Sequence, residues 1–315
     1  MISDKRIISM LEGAGFTRDS EFIPMAGAGS DRSFYRVKSC NCSAILITGD
    51  GHGADLSRWI DIQIFLELVG VDVPMLFAFD REVAAILVED LGEMPPPKPE
   101  EYPFIVKKLA NIQRSISERI DDCPTILEAP FDFIQFREES RYFADEYLLG
   151  YRKAQPVLIE SLSPEFDDIA KELSNFPRFF CHRDFQSSNI ALQGNRLRII
   201  DFQSAKQGPL EYDLASLLWD SRIEINEGIR NRCIEDYIRI APEKGLPIDV
   251  ASFREKLYLT ALSRTMQSLG AYCYLSSKKG KSAFLRLIPT AERHFLELLL
   301  KTKRLCLLVG LFKSN

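Results

Sequence analysis

The chain has 315 residues, of which 46% are hydrophobic and 27% charged, and its formal net charge is −5. This length fits two lobes that share a cleft, and the composition is ordinary for a soluble globular protein. The acidic balance excludes nucleic acid as the main partner, because phosphate binding needs a basic face that no long run of Lys and Arg supplies here.

The cysteines and the chain ends indicate a cytoplasmic protein. Seven cysteines without a C-x-x-C pair favour a reduced chain over a disulfide framework. The first residues include an acid and lead into helical periodicity, so we expect no signal peptide. The apolar runs at 295–300 and 305–312 are separated by charged residues, and neither reaches the roughly 20 residues that cross a bilayer. We therefore expect no membrane association, and the sequence leaves the oligomeric state open.

The first third of the chain predicts a helix followed by a small sheet. Its elements are a helix at 3–15, a small-residue loop at 25–33 leading into a strand, a strand at 43–48, a helix at 54–69, and strands at 76–80 and 84–92. The proline-rich segment 95–99 can be neither helix nor central strand. We therefore place a boundary between an N-terminal lobe, residues 1–94, and a C-terminal lobe, residues 95–315.

Helical patterns dominate beyond residue 100, apart from a β-rich stretch before residue 210. Helices are predicted at 101–117, 131–150, 155–174, 211–221, 227–241, 251–276 and 282–311.

The β-rich stretch contains a recognisable motif. A His-Arg-Asp triplet at 182–184, with Asn189 beyond it, is followed by an apolar run that ends in Asp201-Phe202. This is the pattern of a kinase catalytic loop and metal loop. A Gly194-Asn195 turn between two β-prone runs predicts a hairpin that brings Asn189 opposite Asp201. Each piece alone is common in loops and strand ends, but the order of all the pieces favours phosphoryl transfer at an ATP site over coincidence.

The residue types suit that chemistry. Amide and carboxylate oxygens that converge on one rim fit Mg²⁺, so Asn189 and Asp201 are the predicted metal ligands. Asp184 lies just upstream on the same rim. There it can accept or orient the proton of an attacking hydroxyl, which makes it the predicted catalytic residue.

These motifs, together with Gly-Pro-Leu-Glu-Tyr-Asp-Leu-Ala-Ser-Leu-Leu at 208–218, resemble the aminoglycoside phosphotransferase and choline kinase-like superfamily. Asp-Phe-Gln at 201–203 and the Tyr-Asp-Leu continuation are most similar to the bacterial anomeric kinases that phosphorylate N-acetylmuramate and N-acetylglucosamine. The resemblance to the superfamily spans nearly the whole chain. It implies a two-lobed α+β protein-kinase-like fold, with a small β-rich N-lobe, a large helical C-lobe, and ATP and Mg²⁺ in the cleft. It also implies that Asp213 supports the catalytic loop.

The resemblance gives roles to the sheet region. The small-residue loop would fold over the ATP phosphates, because glycines let backbone N–H groups approach the oxygens closely. A plain hairpin turn has the same pattern. The candidate phosphate contacts are Gly27, Gly29, Ser30, Arg32 and Ser33. Backbone groups of Glu89 and Leu91 would bond adenine at the hinge, where an ordinary strand ending at a turn is the alternative.

The strand at 43–48 departs from the kinase pattern, because it lacks the lysine that usually holds the α and β phosphates. Three nearby cations could substitute, and Arg32 is favoured because it lies in the loop itself. The other two are Arg36 and Lys38. The partner carboxylate is left undefined among Asp55, Asp61 and Glu67.

The expected function is transfer of the ATP γ-phosphoryl group to the anomeric hydroxyl of an N-acetylated amino sugar, in cell-wall sugar recycling. Arg264 and Gln267 are the candidate contacts to this small-molecule substrate. One alternative is a kinase of another alcohol, such as an aminoglycoside, choline or homoserine. A second is a nucleotide-binding pseudokinase that acts as an interaction module, which the missing lysine favours and the intact Asp184, Asn189 and Asp201 oppose.

Charge placement bears on the choice of acceptor. A polycationic aminoglycoside needs converging carboxylates, whereas the side chains after Glu297 include no acid. The cations in that tail are Lys301, Lys303, Arg304 and Lys313. An acidic cluster within residues 220–236 favours the opposite conclusion.

Overall fold

The computed structural model describes residues 4–17, 19–25, 32–39, 42–49, 54–128 and 130–313. Its N-terminal part is a five-stranded antiparallel sheet with the strand order β1-β2-β3-β5-β4. The strands are β1 (Glu21–Met25), β2 (Ser33–Ser39), β3 (Cys42–Thr48), β4 (Leu76–Asp80) and β5 (Ala85–Glu89). Two helices accompany them, α1 (Lys5–Gly13) and α2 (Ala54–Leu68).

The sheet is covered on both faces because apolar side chains alternate along its strands. Leu46 and Leu87 belong to a cluster that includes the apolar side of α1. Ile47 and Ile86 belong to the main core, which contains α2 and continues into the helical part of the chain. Asp4 caps α1, since its carboxylate accepts a hydrogen bond from the Arg6 amide at 2.8 Å.

The C-terminal part is mainly helical. Its helices are α3 (Tyr102–Ser117), α4 (Pro124–Leu127), α5 (Phe133–Tyr142), α6 (Pro156–Ser174), α7 (Glu211–Leu218), α8 (Glu227–Glu243), α9 (Phe253–Ser277), α10 (Ile288–Thr302) and α11 (Val309–Lys313). Two short antiparallel pairs lie among them, formed by β6 (Arg178–Cys181), β7 (Ile190–Gln193), β8 (Arg196–Ile199) and β9 (Lys206–Pro209). In these pairs β6 pairs with β9, and β7 pairs with β8.

Two local predictions that position the site are confirmed. Strands β7 and β8 form the expected hairpin, and Gly194 in its turn has a φ of +60°, a conformation that favours glycine. Of the proline-rich segment 95–99, residues 95–98 have no helix or strand, as expected, and Pro99 begins a 3₁₀ helix that leads into α3. Across the described residues, no helix is long and apolar enough to cross a membrane.

The single helix predicted at 282–311 is wrong. The chain forms a 3₁₀ segment at 282–287 and then α10, and it turns at Lys303 and Leu305, which have φ values of +55° and +52°. The turn lets Leu305 become fully buried and lets Phe312 pack on Phe295, with ring centroids 5.3 Å apart. Burial of the second apolar run therefore outweighs helix continuity.

The helix predicted at 131–150 is also not continuous. It begins as α5 and changes to a π-helix at Phe143–Tyr151. The change occurs where α9 approaches through Gly270, at which a Cβ atom would lie 3.0 Å from the Tyr142 carbonyl carbon and oxygen. A close contact between helix backbones is a tertiary feature that side-chain periodicity does not report.

Candidate active site

The loop between β6 and β7 is held from beneath by Asp213, in the first turn of α7. Its carboxylate accepts hydrogen bonds from the backbone amides of His182 at 2.8 Å and Arg183 at 3.0 Å. Burial raises the pKa of Asp213, while His182 and the amide bonds act in the opposite direction. Arg183 has a φ of +73°, a conformation that non-glycine residues seldom adopt without such support. The expected supporting role of Asp213 is confirmed.

The side chain of Arg183 is fixed as well. Its guanidinium pairs with Glu139 at 3.0 Å and lies 4.9 Å from the centre of the Phe131 ring. Burial raises the pKa of Glu139, and Arg183 opposes that shift. This buried ion pair adds a second anchor to the loop.

His182 connects this loop to the segment that ends in Asp201. Its Nε2 lies 3.1 Å from the Ile200 carbonyl oxygen, and its Nδ1 accepts a hydrogen bond from the Asp184 amide at 3.3 Å. These partners assign the proton to Nε2. His182 is fully buried, so both motifs are fixed relative to each other.

Asp184 presents its carboxylate to the cleft while two side chains hold it. Arg264 Nη2 donates to Oδ1 at 3.1 Å, and Ser204 Oγ donates to Oδ2 at 3.3 Å. The Asp184 side chain remains 35% exposed. A carboxylate in this position is oriented and still accessible to a hydroxyl in the cleft.

Arg264 is itself anchored within α9 and against α7. It donates to Ser216 Oγ at 3.0 Å, to Ser268 Oγ at 2.8 Å and to Gln267 Oε1. Burial acts to lower the pKa of Arg264, but Tyr212 and Asp184 outweigh it and the pKa is raised. The structure thus places both predicted substrate contacts, Arg264 and Gln267, at the cleft, and it gives Arg264 an additional contact to Asp184.

The hairpin brings the two predicted metal ligands together. The Ile200 amide donates to the Asn189 carbonyl at 3.1 Å, immediately before Asp201. Asn189 Nδ2 donates to the Asp184 carbonyl at 2.9 Å, which orients its amide oxygen away from that carbonyl. Asp201 has a φ of +65°, and its side chain is 45% exposed.

This pair of donors suits a hard cation that is held mainly by substrate oxygens. Among the described residues, no group of three or more His, Cys, Asp or Glu side chains could hold a metal ion alone. A carboxylate from Asp201 and an amide oxygen from Asn189 therefore fit a magnesium ion whose other ligands are phosphates and water.

A cleft of about 560 Å³ joins this site to the sheet. Apolar side chains from the sheet and from α2 line one end, including Ile45, Val88 and Trp59. Glu89 and Leu91 also line it. The Glu89 amide donates to the Met75 carbonyl at 2.9 Å, so the hinge contribution of Glu89 would have to be its carbonyl oxygen.

The three candidate cations lie in different places. Arg32 lies 3.5 Å from Asp201 Oδ1 and lines the cleft. Arg36 also lines the cleft, but it pairs with Asp90 at 2.7 Å near the hinge. Lys38 is exposed on β2. Arg32 is thus the candidate cation nearest to the predicted metal ligands.

Other sheet-side predictions have mixed outcomes. Gly27, Gly29 and Ser30 lie outside the described residues, and Ser33 is exposed at the start of β2. Of the candidate partner carboxylates, Asp61 binds Arg81 at 2.6 Å and Glu67 accepts from the Leu76 amide at 3.0 Å.

Sequence reasoning missed Arg58 of α2, which supports the metal loop. Its guanidinium donates to the Gln203 carbonyl at 2.8 Å and also to the carbonyls of Thr125 and Ala205. The adjacent Trp59 packs on Phe202, with ring centroids 5.2 Å apart. Apolar spacing could locate α2, but it gave no signal that an arginine there would bind backbone carbonyls far along the chain.

Comparison with known proteins agrees with this geometry. Residues 29–248 match the model of the phosphotransferase enzyme family. The chain is 24% identical to N-acetylmuramate/N-acetylglucosamine kinase of Pseudomonas aeruginosa, over 90% of this chain and 85% of that protein. It is also 24% identical to the protein of that name from Neisseria meningitidis serogroup B, over 86% and 84%.

Solved structures show the same fold at lower identity. The Plasmodium vivax ethanolamine kinase aligns with a TM-score of 0.65 at 13% identity, covering 95% of this chain and 89% of that one. The ADP-bound aminoglycoside phosphotransferase APH(2'')-Ib aligns with a TM-score of 0.64 at 13% identity, covering 94% and 99%. The fold is therefore the two-lobed protein-kinase-like fold, and the chain belongs to the phosphotransferase enzyme family.

Proposed function

We propose that the alcohol phosphorylated by this ATP-dependent phosphotransferase is the anomeric hydroxyl of an N-acetylated amino sugar, N-acetylmuramate or N-acetylglucosamine. Two curated relatives with that name align over more than four-fifths of this chain. The observation that carries the proposal is the single oriented carboxylate of Asp184 in the cleft, held by Arg264.

Asp184 would accept the hydrogen bond of the acceptor hydroxyl and take its proton. The acceptor oxygen then forms a bond to the γ-phosphorus while the bond from that phosphorus to the β-bridging oxygen breaks, and ADP leaves. An anomeric hydroxyl is more acidic than an ordinary sugar alcohol. A single carboxylate can therefore assist it without a specially activated base.

Arg264 would fix Asp184 in place, and Gln267 would extend the polar wall beside it. Because Arg264 is 7% exposed and has four side-chain partners, its position does not depend on bound substrate. This preorganisation means that Asp184 loses little freedom when the hydroxyl arrives.

Magnesium would be bound by Asp201 and Asn189, where it would neutralise charge on the transferring phosphoryl group. Arg32, beside Asp201, would take the role of the missing strand lysine and contact the phosphates, with Gly27, Gly29, Ser30 and Ser33 of the same loop. Adenine would lie among the apolar side chains near the sheet and bond the Glu89 carbonyl and the Leu91 amide.

The same cleft supports the division of the chain into an ATP-binding lobe, residues 1–94, and a catalytic and substrate-binding lobe, residues 95–315. The segment without helix or strand at 90–98 lies between them. We also assign the protein to the cytoplasm. The six described cysteines are all free, as expected in a reducing compartment.

Phosphorus NMR of the product tests the acceptor. The pure protein is incubated with ATP, Mg²⁺ and, in separate reactions, the two N-acetylated sugars, an aminoglycoside, choline and homoserine. We expect a sugar 1-phosphate and no comparable turnover of the other alcohols. A phosphoryl group at another sugar position, or turnover of the other alcohols alone, would contradict the proposed acceptor and leave the phosphotransferase assignment intact.

A further inference from the structure

The acceptor end of the cleft contains an arginine to which neither the family motifs nor the proposed mechanism gives a role. Arg222, which follows α7, lines the cleft together with Asp184, Gln186 and Arg264. Its side chain is 23% exposed. A partly exposed guanidinium in a substrate cleft is well suited to bind an anionic group.

Arg222 differs from the other arginines that line the cleft in the described part of the chain. Each of those pairs with a carboxylate that also lines the cleft, in the pairs Arg32–Asp201, Arg36–Asp90 and Arg264–Asp184. The partner of Arg222 is Asp220, at 3.4 Å, whose side chain is fully buried and does not line the cleft. Arg222 thus adds positive charge to the cleft wall.

The Asp220 carboxylate also accepts hydrogen bonds from the catalytic loop. Its Oδ2 accepts hydrogen bonds from the Ser187 amide at 2.8 Å and from the Ser187 hydroxyl at 2.5 Å. It therefore supports the catalytic loop and neutralises Arg222 only in part. Among the described residues, all side-chain hydrogen bonds of Arg222 are made by Nη1, to Gln186 at 3.0 Å and to Asp220. Nε and Nη2 are left as a two-donor edge of the kind that matches a carboxylate.

The position of Arg222 is close to the transfer site. Gln186, which accepts its hydrogen bond, is two residues beyond Asp184, so their Cα atoms are separated by at most about 7 Å. The Gln186 amide donates to the Asp184 carbonyl at 2.9 Å, which shortens that separation further. Because Asp184 and Arg222 line the same cleft, a sugar whose hydroxyl contacts Asp184 can bring another substituent to Arg222.

An aromatic surface completes this end of the cleft. Tyr272 of α9 lies with its ring 6.0 Å from the Arg222 guanidinium and stacks on Phe284 at 5.9 Å. Both aromatic residues line the cleft. In the described part of the chain, none of the acidic side chains at 220–236 lines the cleft, and Asp184 is the carboxylate that lines it beside Arg222.

We infer that Arg222 is a specificity-determining residue that binds a carboxylate on the acceptor sugar. The inference rests on the proposed function and deepens it. N-acetylmuramate differs from N-acetylglucosamine by an O-linked lactyl group that ends in a carboxylate. Arg222 therefore selects the acidic sugar over the neutral one.

The wild-type protein provides the first test. The ratio kcat/KM is measured for N-acetylmuramate, for its primary amide, which keeps the bulk and removes the charge, and for N-acetylglucosamine. We expect the acid to exceed the amide by about 10- to 100-fold, the range of a charge-assisted hydrogen bond. Equal values for acid and amide would overturn the role of Arg222.

Variants provide the second test. Arg222→Gln should lower kcat/KM for the acid by about 10-fold or more, and lower it much less for the amide and N-acetylglucosamine. Arg222→Lys should keep part of the preference, because it keeps the charge and loses the two-donor geometry. Arg232→Gln, which removes an arginine with a 75% exposed side chain from α8, is the matched control and should keep the preference of the wild type.

The outcomes separate the inference from the proposed function. An equal loss for all three sugars in Arg222→Gln would mean that Arg222 acts on the phosphoryl group or on the catalytic loop, and it would overturn the inference. No turnover of any of the three sugars by the wild type would instead overturn the proposed function.

Discussion

The two walls of the cleft are held by different kinds of interaction. On the helical wall, the buried carboxylates of Asp213 and Asp220 accept hydrogen bonds from backbone amides of the catalytic loop. On the sheet wall, the arginines are held by side-chain ion pairs, Arg36 with Asp90 just beyond β5 and Arg32 with Asp201 of the opposite wall. The helical wall is therefore fixed through its backbone, whereas the arginines of the sheet wall are held through their side chains.

This difference fits the demands of phosphoryl transfer. The acceptor hydroxyl must meet the phosphorus in line, so the position of Asp184 tolerates little error. Phosphates present many equivalent oxygens, and a long arginine side chain can reach them from more than one place in the chain. We therefore expect the largest effects from changes on the helical wall and smaller ones from changes on the sheet wall.

The largest effect is expected for Asp184→Asn. The amide cannot take the proton of the acceptor, so kcat should fall by about 10³-fold, while ATP affinity stays nearly unchanged because the carboxylate acts on the acceptor. Steady-state kinetics and calorimetric titration with ATP check both parts. Asp167→Asn, on α6 with a 54% exposed side chain, is the control and should behave as the wild type. Retention of most turnover in Asp184→Asn would disprove the catalytic role.

The next effect concerns the two metal ligands. Asp201→Ala removes a charged ligand and should weaken Mg²⁺ binding in the nucleotide complex by at least about 100-fold, and Asn189→Ala, which removes a neutral one, by about 10-fold. Activity is measured while Mg²⁺ is varied at fixed ATP. Ser161→Ala is the control, since the Ser161 hydroxyl is exposed on α6, where it donates to the Val157 carbonyl at 2.8 Å. Unchanged metal dependence in both ligand variants would refute the pairing of Asn189 with Asp201.

The helical wall was also the part that the sequence predicted best. A loop that is fixed by local turns and by backbone hydrogen bonds needs particular residues at fixed spacing, and such spacing is visible in one sequence. The hairpin between Asn189 and Asp201 was predicted for that reason, whereas the support from Asp213 was implied by the resemblance to the superfamily. Contacts between residues that are far apart in the sequence leave no characteristic spacing from which they could be predicted. Arg58, which binds the Gln203 carbonyl 145 residues away, and Arg264, which binds Asp184 80 residues away, are two examples.

The sheet wall shows why the remaining features could not be predicted. The missing strand lysine left three candidate cations in the sequence, and only its place in the loop favoured Arg32, because long side chains let each cation reach more than one place. The structure separates them by their partners, with Arg36 at the hinge and Arg32 beside Asp201. The helix breaks at Lys303 and Leu305 have the same origin, since packing against a distant element decided them.

The smallest effect is expected from those two arginines, and it separates their roles. Arg32→Gln should weaken ATP binding by about 10-fold, roughly the value of one charge-assisted hydrogen bond, and leave AMP binding nearly unchanged, because AMP lacks the β and γ phosphates. Arg36→Gln should weaken ATP and AMP alike, by about threefold or less, because it only frees Asp90 near the adenine end of the cleft. Calorimetric titrations with both nucleotides, with and without Mg²⁺, check this, because the Arg32 effect should persist without the metal if the arginine contacts phosphate directly. An equal loss of ATP and AMP binding in Arg32→Gln would show that Arg32 does not replace the strand lysine, and an effect on ATP alone in Arg36→Gln would reverse the two assignments.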